Sequence, residues 1–245
     1  MFLEIYVFCV VVFSNFLQAT TGFGYAIVTT PLLAMVLPPK ESVMLTMTTG
    51  LIGRMSMLKV ISGSGNFSDV KPLLMTSVIG ALVGSYALTV INSYGLKLFI
   101  ALVLLVTGWA MWKERRIEIT NQKLAERTVG VIAGFLGSTT SINGPPIIMY
   151  YLNSGLDKNK DLFRANLTRY FLLMNIITLT LAFWFGTLEI SSIWRMTLAA
   201  IPALWIGLYL GEKFFRRINA QAFKRLTIIM VIVSALLIIF NTLNS

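Results

Sequence analysis

The sequence predicts an all-α polytopic membrane protein made of two inverted repeats, each a broken, re-entrant helical hairpin followed by three transmembrane helices. Composition, two interrupted apolar runs and the placement of positive charge carry this expectation. Of the 245 residues, 56% are apolar and 12% charged, with a mean hydropathy of +0.79, whereas a soluble domain carries about 25% charged residues. With about 20 apolar residues per crossing, the length accommodates roughly six to eight crossings joined by short loops. A soluble enzyme and a nucleic-acid reader are both disfavoured.

The net charge of +10, from 20 Lys and Arg against 10 Asp and Glu, is the signature of cytoplasmic loops in such a chain rather than of nucleic-acid binding. The single cysteine, Cys9, cannot form an intrachain disulfide and reads as packing. With no histidine, neither transition-metal nor Ser-His-Asp chemistry is indicated, and no cofactor is implied. No Lys or Arg precedes Lys40, so the basic start of a secretory signal peptide is missing and the first apolar segment is expected to be retained.

Taken in order, the first apolar run covers 2–37. A continuous helix over it would extend about 54 Å against a hydrocarbon core of about 30 Å. Thr20-Thr21-Gly22-Phe23-Gly24 interrupts it, which predicts two helical arms. Spans follow at 42–62, 72–91 and 95–112, completing a first repeat over 1–112; residues 113–127 form a basic linker. The second repeat, 128–245, opens with a run over 128–152 that breaks at Ser138-Thr139-Thr140-Ser141-Ile142-Asn143-Gly144-Pro145-Pro146. There two prolines remove backbone donors and disfavour helix just before them. Spans at 165–186, 195–211 and 226–243 complete it.

The halves match at two offsets that preserve segment order. At an offset of 119, Phe16-Leu17, Thr20-Thr21 and Leu33 fall on Phe135-Leu136, Thr139-Thr140 and Leu152. At 127, Ile79, Gly80, Gly84, Asn92 and Lys97 fall on Ile206, Gly207, Gly211, Asn219 and Lys224. A duplication is the better reading. Gly80-xxx-Gly84 and Gly207-xxx-Gly211 either permit close helix contact or are incidental membrane glycines; they are assigned structure and no chemistry.

Charge placement decides between topologies. If each broken run were one full span, eight Lys and Arg would lie inside and ten outside, against the positive-inside rule. If each is a re-entrant hairpin, the loops at 63–71, 113–127, 153–164 and 212–225 are all cytoplasmic. Fifteen Lys and Arg then lie inside when Lys59 is included, and only Lys40, Lys97 and Arg195 outside. An odd number of spans per half inverts the second half, an arrangement common among secondary transporters. The expected location is the plasma membrane, with an external N-terminus; the arm from Phe2 to Ala19 is nevertheless long enough to cross by itself.

Breaks inside a bilayer persist only when buried in protein or lining a polar cavity. Two inverted copies would meet near the midplane, where the helices starting at Gly24 and Pro145 present free N–H groups and a partial positive charge to an anion. Gln18, Thr20, Thr21, Ser138, Thr139, Thr140, Ser141 and Asn143 supply neutral polar groups, with backbone from Gly22, Gly24 and Gly144; the hydroxyls either serve the anion or satisfy the local backbone. Arg54 falls near the membrane centre with no carboxylate at comparable depth. It therefore suits an anionic ligand held bidentately, or else helix-end carbonyls. Arg169 is shallower and either joins the site or snorkels; Asn166 and Asn175 line the same cavity or bridge helices. Without intramembrane Asp, Glu or His, strict proton coupling is disfavoured.

At these residues the chain resembles the sulfite exporter TauE/SafE family of membrane transporters. The resemblance rests on TTGFGYAIVTTPLL at 20–33, GFLGSTTSINGPPIIMYYL at 134–152 and the four-segment duplication covering nearly all 245 residues. Members typically show a GxGGG-like stretch leading to a proline and leucines in each half. Gly22, Gly24 and Pro31 match in the first half, while Asn143-Gly144-Pro145-Pro146 replaces the glycine run in the second. The resemblance implies transport of a small sulfur-containing anion such as sulfite, sulfoacetate or a related organosulfonate. The expected partners are that anion and the lipid bilayer, and a homo-oligomer stays open. The rivals are a membrane-embedded enzyme, which lacks a visible nucleophile and base, and a channel-like anion pore.

Overall fold

The computed structural model describes residues 2–60, 67–113, 119–154, 160–215 and 220–243. They form α1 (Phe2–Thr21), α2 (Tyr25–Ala34), α3 (Pro39–Val60), α4 (Lys71–Val90), α5 (Ser93–Lys113), α6 (Gln122–Thr140), α7 (Gly144–Asn153), α8 (Lys160–Trp184), α9 (Ile190–Phe215) and α10 (Ala220–Leu243). A 3-10 turn at Phe67–Asp69 precedes α4, and no strand occurs among the described residues. Arg115, Arg116, Lys158, Arg216, Arg217 and Asn219 lie outside the described residues, as do the side chains of Lys59, Lys160, Lys224 and Arg225.

The chain is an all-α polytopic membrane protein. The order long, short, long, long, long occurs twice. By length and composition, α1, α4, α5, α8 and α9 each contain a stretch able to cross a membrane. At ten residues, α2 and α7 reach about 15 Å, half the hydrocarbon core.

The short helices exist because the chain turns where the sequence is least suited to helix. Gly22 and Gly24 take φ of +83° and +99°, a region that L side chains enter at a cost of about 1–2 kcal/mol. Ser141 takes the same left-handed conformation with φ +61°. Gly144-Pro145-Pro146 then opens α7, where proline's missing N–H and fixed φ suit a helix start. Each short helix folds back along its long partner. Tyr6 Oη donates to Leu32 O at 2.9 Å, tying the far end of α2 to the start of α1. Tyr150 Oη donates to the Glu126 carboxylate at 2.8 Å, doing the same for α7 and α6. Neither broken run is a single full span; each is a hairpin.

The hairpins are held by an exchange between halves. α4 of the first half packs in parallel on α6 of the second, with Gly80 against Val131 and Phe135, Gly84 against Phe135 and Ser138, and Gly134 against Ser77 and Ala81. α9 of the second half packs in parallel on α1 of the first, with Gly207 against Val12 and Asn15, and Gly211 against Phe16 and Ala19. Of the two readings of these glycines, close helix contact is the one seen. Asn15 Nδ2 donates to Leu204 O across the second seam. α3 and α8 run antiparallel side by side, since Asn175 bonds Met47 O and Thr168 bonds the Met57 sulfur.

The outward surface is apolar. Ile79, Val83, Leu102, Val106, Leu236 and Phe240 are exposed, as expected where lipid is the solvent. Aromatic side chains gather at both ends of the bundle, Tyr86, Tyr94, Trp184 and Trp194 at one and Trp109, Trp112 and Phe214 at the other, the arrangement of membrane-interface belts.

Candidate anion-binding site

The first break is built from the last turn of α1. Thr20 Oγ1 donates to Leu17 O at 2.8 Å. Thr21 Oγ1 lies 2.8 Å from Leu17 O and 2.6 Å from Phe23 O, and accepts from Phe23 N–H at 3.2 Å. These hydroxyls therefore close the helix end, so their protons point at backbone rather than into open space. Gln18 differs. It is buried, and neither its amide nitrogen nor its oxygen has a hydrogen-bond partner.

Gly24 caps α2 without a side-chain bond. The first bond into α2 is Val28 N–H to Gly24 O at 3.2 Å, leaving the N–H groups of Tyr25, Ala26 and Ile27 without intrahelical partners.

The second break repeats this design with different donors. Thr139 and Thr140 donate to Phe135 O and Leu136 O at 2.7 and 2.8 Å, and Ile142 N–H donates to Thr140 Oγ1 at 3.2 Å. Ser138 donates to Gly134 O. Asn143 is buried, packs against Gly137 and makes no capping bond to α7. Because Pro145 and Pro146 carry no N–H, the start of α7 offers fewer donors than the start of α2.

The two breaks come together but not at one level. Ser141 and Thr30 share a hydroxyl hydrogen bond of 2.6 Å, and Ile27 sits against Gly144. The second break thus lies beside the middle of α2. Thr30 is six residues beyond Gly24, about 9 Å along a helix. The breaks overlap side by side.

Arg54 lies where these elements converge. It is 5% exposed, its Nε makes no hydrogen bond, and no carboxylate pairs with it among the described residues. Its guanidinium carbon is 5.2 Å from the Phe171 ring centroid and 6.0 Å from that of Tyr25, distances at which cation–π attraction operates. Tyr25 is the first residue of α2, and its hydroxyl donates to Thr49 at 2.7 Å. Phe171 reaches Gly144 at the second break. The buried cation therefore lies against the ring of Tyr25, the first residue of α2, on one side and reaches the second hairpin, through Phe171, on the other.

Asn175 stands beside Gly50 in the same cluster while donating to Met47 O at 3.1 Å. Asn166 lies away from it, donating to Asp69 at 3.3 Å. Arg169 is half-buried, with one buried guanidinium nitrogen lacking a hydrogen bond.

A second buried arginine was hidden from sequence reading. Arg164 sits in a basic stretch that reads as a loop, yet it is 4% exposed, ion-paired to Glu212 of α9. A side chain at Gly22 would lie 3.1 Å from Arg164 Cα, so this pair backs the first break. Nothing in the sequence around Arg164 points to Glu212, which lies on another helix. Among the described residues, no group of three or more potential metal ligands occurs.

Searches of the curated proteins and of the solved structures find no match. A family profile described as Sulfite exporter TauE/SafE matches residues 7–238, spanning both hairpins, both glycine seams and Arg54. The chain belongs to the sulfite exporter TauE/SafE family.

Proposed function

We propose that the protein is a secondary transporter for a small sulfur-containing oxyanion, sulfite, sulfoacetate or a related organosulfonate, held between Arg54 and the N-terminus of α2. The observation that carries this reading is a buried arginine with no carboxylate partner among the described residues, packed on the ring of Tyr25, the first residue of a helix whose start is itself electropositive. A buried, uncompensated charge costs several kcal/mol, and an anionic ligand removes that cost. Three N–H groups on Tyr25, Ala26 and Ile27 and the planar guanidinium form a donor set suited to an oxyanion.

In this reading Gln18, Gly22 and Gly24 shape the first half of the site, and Ser141, Asn143 and Gly144 the second. Thr20, Thr21, Thr139 and Thr140 hold the helix ends that present the backbone. Arg169 belongs to the approach. The halves 1–112 and 128–245 act as inverted repeats, with rocking of one against the other exposing the anion to either side. The exchange of α4 onto α6 and α9 onto α1 supports that division, because each half then carries a hairpin gripped by the other. The protein resides in the plasma membrane with the basic segments 113–127, 153–164 and 212–225 in the cytoplasm.

Thermal unfolding of the detergent-purified protein across a panel of small anions tests the site. A ligand at one hundred times its dissociation constant adds about 2.7 kcal/mol. The expected outcome is a saturable shift with sulfite or sulfoacetate that Arg54→Ala abolishes. A shift unchanged in Arg54→Ala removes Arg54 from the site, and a shift only with carboxylates or cations overturns the substrate class.

A further inference from the structure

Gly50 lies one helical turn before Arg54 on α3, so the two share a face. A Cβ built at Gly50 would lie 2.6 Å from Arg54 Nη1, 3.1 Å from Asn175 Nδ2 and 3.3 Å from Tyr25 Cδ1. All three are side-chain atoms. The arginine folds back along its own helix into the notch left by the missing side chain, and Asn175 and Tyr25 close around it. At the Gly80 seam the atoms in the way are backbone. At Gly50 they are the head of the proposed anion ligand and its two neighbours.

We propose that Gly50 is a positioning residue. By leaving the notch open it sets where the Arg54 guanidinium stands beside the N-terminus of α2, and so sets anion affinity. The inference rests on Arg54 as the anion-binding cation. A methyl group at Gly50 forces Nη1 outward by roughly 1 Å, because non-bonded carbon and nitrogen atoms settle near 3.5 Å. Bidentate recognition by a guanidinium depends on such placement. The helix gains from the same substitution, since alanine favours helix over glycine. Affinity and stability are therefore expected to move independently, which a purely structural role for Gly50 does not predict.

The test uses the full chain in detergent as wild type, Gly50→Ala, Arg54→Lys and the double variant. Sulfite and sulfoacetate are the probes, and the ligand-free Tm is recorded for each. Gly50→Ala is expected to weaken the bound anion by about tenfold or more while the ligand-free Tm holds or rises. In the Arg54→Lys background the same substitution is expected to change affinity less than about twofold, because lysine has no fork to displace.

Unchanged affinity in Gly50→Ala overturns the proposal. So does an affinity loss accompanied by a fall of several degrees in ligand-free Tm, or an equal loss in both backgrounds where lysine still binds. If Arg54→Lys binds neither probe, the affinity and Tm of Gly50→Ala alone decide. Absence of a saturable shift in the wild type fails the anion reading itself, an outcome distinct from a wild-type shift that Gly50→Ala leaves intact.

Discussion

Arg54 was legible in the sequence because depth and charge are both local properties. A lone cation far from either end of an apolar run, with no acid nearby in register, needs a ligand or a polar partner whatever the fold. Arg164 was not legible, because its partner Glu212 is 48 positions away and stands near a predicted span end. The left-handed residues separate conformation from contact in the same way. Gly22 and Gly186 both have positive φ, +83° and +68°, but a side chain at Gly22 meets Arg164 at 3.1 Å while one at Gly186 meets nothing within 4 Å. Gly186→Ala is expected to cost about 1 kcal/mol from backbone strain alone. Gly22→Ala should cost about 1–3 kcal/mol more from overpacking. Unfolding of the two variants in detergent measures the difference, and equal losses would mean that α8 yields freely at Arg164.

At the scale of elements, the hairpins were readable because clustered polar residues, glycine and proline interrupt apolar runs too long for one crossing. Their relative depth was not. Ser141 of the second break sits beside Thr30 in the middle of α2, a placement that no local stretch of sequence encodes. The glycine seams make a sharp prediction. A Cβ at Gly80 overlaps the Val131 carbonyl and the Phe135 amide, whereas one at Gly108 meets the Ile232 side chain at 3.1 Å. Gly80→Ala must separate two backbones and is expected to cost about 3 kcal/mol or to prevent folding, while Gly108→Ala should cost less than about 1.5 kcal/mol. Comparing yields of folded monodisperse protein and Tm checks this; a benign Gly80→Ala would show that α4 and α6 are not tightly seated.

For the whole molecule, the described helix ends fall on two faces, and the inverted-repeat reading assigns the face bearing the start of α6 to the cytoplasm. In a Cys9→Ala background, Ser93→Cys and Lys123→Cys place exposed thiols near the ends of α5 and α6. A membrane-impermeant maleimide is expected to label Ser93→Cys in intact cells and Lys123→Cys only after lysis. Labelling of both from outside would overturn the proposed orientation and, with it, the cytoplasmic assignment of the basic segments.

Composition, the interrupted runs and the placement of charge were sufficient by themselves to specify a polytopic helical protein, its two breaks, its buried central arginine and its family. Each of those depends on the chemistry of short stretches meeting lipid or water. The pairing of α4 with α6 and α9 with α1, the contact of Thr30 with Ser141, the Arg164–Glu212 pair and the notch at Gly50 were decided only in three dimensions. The first four join residues from 48 to 195 positions apart in the chain. The Gly50 notch is local on α3, but it acquires meaning only when Tyr25 and Asn175 are folded against it from α2 and α8, because packing between distant segments follows shape and no local pattern encodes which surfaces will meet.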